Sequence, residues 1–187
     1  PKILHPLFSP TSSLPGIGKR LENLLQKKIG SNVIDLLFHM PISTIDRSLT
    51  ESLKDIQKNS VVTLKINVNK HSPPFYRSKK PYKILTFMKD IPIEIIFFNA
   101  KSEYIKNKFP EGMNFIVSGK IDFYKNNFQI INPDHLIPLD AKKELLTIEP
   151  VYPLFSNLNS KVMLKAISSA LNLIPKKIPE WIPEKVI

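Results

Sequence analysis

The sequence lacks several features on which common functions depend, beginning with cysteine, which is absent from its 187 residues. Without cysteine the chain can form neither a disulfide nor a thiolate metal site. The histidines at positions 5, 39, 71 and 135 lie too far apart for a spaced pair of zinc ligands. No apolar run approaches the roughly 18 residues of a membrane span, and no signal-peptide pattern opens the chain. We therefore expect a cytoplasmic protein that contacts no membrane and holds no metal.

Negative charge is also scarce, because 16 acidic residues face 27 lysines and arginines and leave a formal net charge of +11. Such an excess favours a polyanionic partner, above all nucleic acid. Almost all of the cations are lysine, and isoleucine and asparagine are abundant too, as an AT-rich genome would produce. A merely solvated basic surface is therefore the alternative. The hydrophobic fraction of 42% suffices for a buried core.

Helical spacing of apolar side chains marks both ends of the chain. A stripe over residues 17–25 predicts a first helix, which Gly30 is placed to end. A second, short helix is predicted over 33–39, with Asn32 as its N-cap. A third is predicted over 159–173. Its expected apolar side consists of Val162, Met163, Ile167, Leu171 and Ile174.

The middle of the chain alternates with the period of strands. Strands are predicted over 61–68, 82–88, 93–98, 113–121 and 128–131. A short amphipathic helix over 101–109, with Tyr104, Ile105 and Phe109 on its apolar side, separates the third strand from the fourth. Pro92 removes a ladder donor, so we expect the third strand to start late or to carry a bulge.

Three strands, a helix and two strands is the order of an OB-fold, although other five-stranded arrangements share this pattern. We predict a mainly β protein, with a five-stranded OB-fold barrel preceded by a helical segment and followed by a C-terminal helix. The predicted domains are residues 1–58, a helical segment that packs on the barrel, 59–140, the barrel, and 141–187, an extended segment with a helix and the start of a connector. Because the chain ends within that connector, we expect a fragment of a longer protein.

The segment between the first two strands, residues 70–81, is the most informative stretch for function. It interleaves cations with aromatic side chains, which Pro73 and Pro74 would hold away from the barrel. Aromatic faces stack on unpaired bases regardless of base sequence, and lysine and arginine contact phosphates. In the alternative interpretation Phe75 packs beneath the loop and the charges are only solvated. The predicted nucleic-acid contacts here are Phe75, Tyr76, Arg77, Lys79, Lys80 and Lys70.

The last hairpin supplies a second candidate contact, formed by Lys120, Tyr124 and Lys125. The residues Lys125-Asn126-Asn127 suit a tight turn, because asparagine tolerates positive φ. Ordinary turn chemistry explains this segment as well as nucleic-acid binding does.

A possible phosphate-binding site precedes the first helix. There Gly16 and Gly18, followed by Lys19 and Arg20, resemble half of a helix-hairpin-helix motif. In that motif backbone N–H groups at a helix N-terminus hold a DNA phosphate. A tight turn into helix packing is the competing interpretation.

Six short runs, taken in their order along the chain, carry a family resemblance. They are LPGIGKRLENLL (14–25), DLLFHMPISTIDR (35–47), IIFFNA (95–100), VSGKI (117–121), INPDHL (131–136) and PVYPLFSNL (150–158). Together they resemble the N-terminal wedge domain of the RecG family, bacterial ATP-dependent helicases that remodel stalled forks and Holliday junctions. Each run alone is a weak signal, and the ordered set is a strong one.

The resemblance implies an OB-fold that splits strands at a DNA branch point while two downstream motor lobes hydrolyse ATP and pull duplex. The implied partners are branched DNA, the single strands at the junction and the protein's own helicase domains, and we expect a monomer near the nucleoid. It also implies that Asp46 and Arg47 form an internal salt bridge. The sequence has neither a G-x-x-x-x-G-K-[ST] phosphate loop nor a Mg²⁺-holding acidic motif. We therefore expect no catalytic residue and no cofactor in this chain, with ATP and Mg²⁺ confined to the absent motor.

Two other functions fit the residues. A stand-alone OB-fold protein would bind single-stranded DNA or RNA in preference to junctions. A protein-interaction module would use its basic surface for an acidic partner and would show no salt-dependent DNA binding.

Overall fold

The computed structural model describes residues 2–75, 78, 80–125, 127–141, 147–155 and 158–178. The chain forms two compact units. The helical unit comprises Pro1–Thr44 and Pro150–Ile187, and the barrel unit comprises Ile45–Glu149. The predicted domain boundaries after residues 58 and 140 stay a prediction. Within the described ranges, no helix has the length and apolar character needed to cross a membrane.

The barrel unit contains the strands β2 Val61–Ser72, β3 Tyr82–Met88, β4 Ile91–Phe97, β5 Asn114–Tyr124 and β6 Asn127–Ile131. These five strands close into a barrel in the order β2–β3–β4–β6–β5, with β5 paired back to β2. All neighbours are antiparallel except β4 and β6, which are parallel. This arrangement confirms the predicted OB-fold. The unit also contains α3 Ser102–Lys108, between β4 and β5, and β7 His135–Pro138, which pairs with β5.

The core of the barrel follows from the period of two. Leu64, Ile66 and Val68 point inward from β2, while Lys65 between them is exposed. Ile105 of α3 and Phe115 of β5 complete the same buried cluster. Burying each such side chain stabilises the fold by roughly 1.5–3 kcal/mol relative to leaving it in water.

The predicted boundary between the first strand and its loop is wrong. β2 continues to Ser72, so Lys70 lies on the strand and not in the loop. A β-bulge between Val68 and Lys70 interrupts the alternation that marks a strand in the sequence, but pairing resumes beyond it, with His71 opposite Ile84. The connection that remains between β2 and β3 is residues 73–81.

The expectation that the third strand starts late or bulges at Pro92 is also wrong. β3 and β4 form a regular hairpin whose turn begins at Lys89 with φ +54°. Pro92 lies opposite Phe87 in an unbroken register. Since β6 joins β4 only from Ile93 onward, Pro92 stands where the strand has a neighbour on one side only, a position that tolerates proline.

The helical unit contains α1 Lys19–Lys28, α2 Val33–Leu37 and α4 Ser160–Leu171, preceded by two short 3₁₀ segments, Lys2–Phe8 and Thr11–Ser13. Strands β1 Ser43–Asp46 and β8 Ile148–Val151 pair with each other in a two-stranded sheet. The buried core of the unit is drawn from both parts of its sequence. It includes Leu25 of α1, Leu36 of α2, and Met163 and Ile167 of α4.

Gly30 follows α1 as predicted. Glycine is needed there for a steric reason and not for its backbone conformation. A side chain at Gly30 would collide with the carboxylate of Asp35. That carboxylate accepts the backbone N–H of Asn32 at 2.9 Å, within a reciprocal capping box that begins α2. The helix ends at Leu37, two residues earlier than predicted.

The predicted apolar side of α4 needs correction, because Val162, Leu171 and Ile174 are exposed. The buried positions are Met163, Ala166, Ile167 and Ala170, which recur with the spacing of one helix face. Asn159 caps the helix by accepting the backbone N–H of Lys161 at 2.8 Å. The two alanines carry little hydropathic signal in the sequence, so the true face is less visible there.

Candidate nucleic-acid interface

The loop between β2 and β3 presents its first aromatic side chain to solvent. Phe75 is 83% exposed, which contradicts the interpretation in which it packs beneath the loop. The backbone N–H of Ser78 donates to the carbonyl of Phe75 at 2.9 Å, and the N–H of Lys80 donates to the Ser78 hydroxyl at 3.1 Å. Lys80 and Lys70 are exposed. The other predicted contacts of this loop, Tyr76, Arg77 and Lys79, lie outside the described residues.

The turn between β5 and β6 carries a second exposed aromatic side chain. Tyr124 is 58% exposed, and the Lys125 ammonium lies 5.6 Å from the centroid of its ring. Lys125 has φ +48°, so the tight turn that the sequence predicts is present. Behind it the rings of Phe123 and Phe128 pack with centroids 4.8 Å apart. A packed base of this kind holds Tyr124 and Lys125 in place at the tip.

Lys120 does not belong to that tip. It precedes Tyr124 by four positions on β5, which places it about 13 Å away along the strand. Asp122 lies between them, and its carboxylate pairs with the Lys58 ammonium at 2.9 Å. The hydrogen bonds from Lys58 and from the Phe123 N–H hold the pKa of Asp122 below its ordinary value. Because the Asp122 carboxylate is paired with Lys58, it does not neutralise Lys120, which is an exposed cation of β5.

The two turns lie at opposite ends of the face formed by β3, β4 and β6. Tyr82, which follows the β2–β3 loop, pairs with Phe97 at the end of β4. Phe128, beside the β5–β6 turn, pairs with Ile93 near the start of β4. Each strand residue advances about 3.3 Å, so the two ends are roughly 13 Å apart along β4. This face therefore offers a direct path for a ligand that contacts both turns.

Two further exposed aromatic residues were not predicted from the sequence as candidate contacts. Phe97 packs against the barrel core, whereas the next residue, Phe98, is 48% exposed at the loop end of β4. Tyr104 of α3 is also exposed, contrary to its predicted place on the apolar side, and its hydroxyl accepts the Lys108 ammonium at 2.9 Å. The exposure of Tyr104 could have been predicted from the sequence. Of the three residues on the predicted apolar side, only Ile105 and Phe109 have the i, i+4 spacing of one helix face. We call Phe98 and Tyr104 the β4–α3 corner.

The glycines before α1 adopt a turn in which one of them is required. Gly16 has φ +84°, which disfavours other residues, and Gly18 is the extended N-cap of the helix. The ammonium of Lys165 lies 3.9 Å from the place where a side chain on Gly16 would begin. Arg20 and Lys19 are exposed. The Lys165 cation of α4 therefore lies beside the turn, and two cations of α1 follow it directly in the sequence.

An acidic side chain already faces that helix N-terminus. Glu22 accepts the Ser12 hydroxyl at 2.6 Å and the Lys19 ammonium at 2.9 Å. These hydrogen bonds lower the pKa of Glu22, so its charge persists at neutral pH and competes with any anion there. Phosphate binding at Gly16 and Gly18 stays a prediction.

Arg47 lies at the centre of a buried polar cluster in the barrel unit, which we call the Arg47 cluster. Its side chain is 2% exposed and donates to Glu149, to the Ser118 hydroxyl at 2.9 Å and to Asp134 at 3.2 Å. His135 contacts the same Glu149 carboxylate at 3.1 Å. Burial raises the pKa of Glu149, but the hydrogen bonds and charges of Arg47 and His135 outweigh it and lower the pKa overall.

The internal salt bridge of Arg47 is present, but its predicted partner is wrong. Asp46 instead accepts the backbone N–H of Ser48 at 2.8 Å. Hydrogen bonds from Ser48 lower the pKa of Asp46. Asp46 is the last residue of β1 and is exposed, whereas the next residue, Arg47, is buried. In the part of the chain that the structure describes, no group of three or more histidine and acidic side chains could hold a metal ion.

The closed barrel, with exposed aromatic and lysine side chains at both ends of one face, defines an OB-fold of the class that binds nucleic acid at its rim. The chain belongs to the RecG wedge domain family, whose family model matches residues 13–174.

Curated relatives agree with this assignment. The ATP-dependent DNA helicase RecG of Bacillus subtilis is 28% identical over 94% of this chain and 25% of its own length. The protein of the same name from Haemophilus influenzae is 27% identical over 94% of this chain and 26% of its own length. This chain thus spans about a quarter of the relatives that it matches. A solved structure of RecG bound to a three-way DNA junction shares the fold, with a TM-score of 0.72 and 20% identity over 96% of this chain and 25% of that one.

Proposed function

We propose that this chain is the branch-binding wedge of a RecG-type ATP-dependent DNA helicase acting in recombination and repair. It splits strands at a replication fork or Holliday junction while motor lobes elsewhere in the protein translocate duplex. The chain contains no phosphate loop, so ATP and Mg²⁺ bind in those motor lobes and this chain contributes position and not catalysis. The protein then works as a monomer in the bacterial cytoplasm, at the nucleoid. In this proposal residues 1–58 are a helical segment that packs on the barrel, and residues 59–140 are the OB-fold of the wedge. Residues 141–187 are an extended segment, a helix and the start of the connector to the motor.

The observation that carries the proposal is the placement of exposed aromatic side chains at the two ends of one barrel face. Phe75 and Tyr124 are the exposed rings of the two turns, and lysines accompany both. Stacking on a ring contributes about 1–3 kcal/mol per base and needs no particular sequence, and a lysine contacts phosphate regardless of the base. A surface of this chemistry suits unpaired strands leaving a branch, where shape and not sequence must be recognised.

A further candidate contact, separate from the two barrel turns, is the turn at Gly16 and Gly18. Its exposed Arg20 and the nearby Lys165 favour a phosphate, while Glu22 opposes one. We propose it as an auxiliary contact to duplex backbone.

The test compares affinities of the 187-residue chain for a three-way junction, a four-way junction and a linear duplex of equal length, all at one salt concentration. Junctions should bind at least about tenfold more tightly, because only they have a branch point at which strands diverge and bases can unpair beside duplex phosphates. Equal affinity for duplex and junction would refute the proposal. Tighter binding to oligo-dT or RNA than to junctions would favour the stand-alone single-strand protein, and no salt-dependent binding would favour a protein-interaction module.

A further inference from the structure

A buried hydrogen-bond network lies at the base of the β2–β3 loop, where none of the proposed DNA contacts uses it. His71 is buried at the end of β2. Its Nε2 donates to the carbonyl of Phe109 at 2.7 Å, and its Nδ1 lies 2.9 Å from the hydroxyl of Tyr82. A carbonyl can only accept, so the neutral ring carries its proton on Nε2 and its Nδ1 accepts from Tyr82.

The network joins three segments that are distant in the sequence. Besides its two ring contacts, His71 donates its backbone N–H to the Glu111 carboxylate at 3.0 Å. The end of β2, the start of β3 and the segment after α3 therefore meet at one residue. Burial and the charge of Glu111 raise the pKa of Tyr82, so its hydroxyl keeps the proton that it donates to His71.

The same network reaches both aromatic surfaces at this end of the barrel. Tyr82 pairs with Phe97, whose ring stacks on that of Phe109 with centroids 5.9 Å apart and planes 8° apart. Phe97 directly precedes the exposed Phe98 of the β4–α3 corner. On the other side, Phe75 follows His71 by four positions across Pro73-Pro74, whose rings restrict φ.

We propose that His71 and Tyr82 are positioning residues, which hold the Phe75 loop and the β4–α3 corner at one fixed spacing for DNA. Both are buried and cannot touch DNA themselves. Their effect is to order the loop base before binding, which reduces the entropy lost when bases stack on the aromatic rings. This inference rests on the proposed function.

The test uses Tyr82→Phe, which removes one hydroxyl and keeps the ring, with Thr86→Val as the matched control. Thr86 is buried on the same strand, and its hydroxyl donates to the carbonyl of Ile93 at 2.8 Å, away from the loop. Each variant loses one buried hydrogen bond, so the stability losses should be similar. We expect Tyr82→Phe to weaken junction binding by about three- to tenfold, while Thr86→Val changes it less than twofold.

A double-mutant cycle separates positioning from general stability. In a Phe75→Ala, Phe98→Ala, Tyr104→Ala background, Tyr82→Phe should cause no further loss of affinity, because the rings that it positions are gone. An equal loss with and without these rings, or an equal loss in Thr86→Val, would show an ordinary stability effect and overturn the proposal.

Amide hydrogen exchange tests the same proposal without DNA. Tyr82→Phe should speed exchange at Ser72 and Ser78, and Thr86→Val should not. If removing Phe75, Phe98 and Tyr104 leaves junction affinity unchanged, the proposed DNA contacts fail and the exchange result alone decides. Unchanged exchange in Tyr82→Phe would then overturn the positioning role.

Discussion

Two regions of the barrel unit contain several charged side chains, which are buried and paired in one region and exposed in the other. In the Arg47 cluster the guanidinium is almost wholly buried and donates to three side chains. At the rim, Lys70, Lys80 and Lys120 are exposed, and none forms an ion pair with another described residue. A buried charge must be paired, because desolvation costs several kcal/mol, whereas an exposed lysine stabilises little.

The difference separates residues that hold the barrel together from residues free to act on a partner. Three of the five N–H donors of Arg47 are used within the cluster, and its buried side chain cannot reach DNA. Its removal should therefore lower stability. The exposed cations and aromatic rings of the rim can bind a partner without breaking stabilising contacts within the protein. Mutations in the Arg47 cluster should therefore lower stability and leave the affinity for DNA unchanged. Mutations at the rim should lower that affinity and leave stability unchanged.

The largest expected effect is that of Arg47→Met. It leaves the Glu149 carboxylate, which is mostly buried, without its guanidinium partner and should destabilise the fold by about 3–5 kcal/mol. Urea unfolding measures the loss. The control is Lys80→Met, which removes an equal charge from the rim and should change the free energy of unfolding by less than about 0.5 kcal/mol. Similar losses in the two variants would remove the distinction between the regions.

The next effect concerns binding. Phe75→Ala should lower junction affinity by about 1–3 kcal/mol, the contribution of one stacked base, with little change in stability because the ring is exposed. Phe8→Ala, at an exposed phenylalanine of the helical unit, is the control and should bind as the unmodified chain does. If Phe75→Ala binds normally while Phe98→Ala, Tyr104→Ala does not, the working surface is the β4–α3 corner and not the loop.

Much of the fold and part of the candidate site could be predicted from the sequence, but only where the sequence signal is local. Strand alternation and the order of elements gave the barrel, and Pro73-Pro74 placed Phe75 outside it. The partners of Arg47 could not be read, because Ser118, Asp134 and Glu149 come from distant positions. The exposure of Phe98 depends on which of two adjacent phenylalanines faces the core, and that is set by the register with β3.

A third, smaller effect is the acid sensitivity of the Arg47 cluster. The folded pKa of Glu149 lies below its unfolded value of about 4.3. Its contribution to stability is therefore complete above the unfolded pKa and is lost as pH falls through the folded pKa. Glu149→Gln should cost about 1.5 kcal/mol at pH 7. Its stability curve should begin to approach that of the unmodified chain as pH falls below the unfolded pKa of about 4.3, and the two should converge only below the lower, folded pKa. Parallel curves down to pH 2 would exclude Glu149 as a source of acid unfolding.

The smallest effect should come from single rim lysines, and it is best seen in the salt dependence of binding. Lys120→Gln removes one exposed cation beside the barrel face and should lower the slope of log affinity against log salt by about 0.7–0.9, the value for one phosphate contact. Lys54→Gln, at an exposed lysine outside both turns, should leave the slope unchanged. Equal slopes in both variants and the unmodified chain would place the phosphates elsewhere. Because Lys120 stands on β5 where that strand pairs with β2, a reduced slope would also mean that DNA contacts the barrel beyond the hairpin tip.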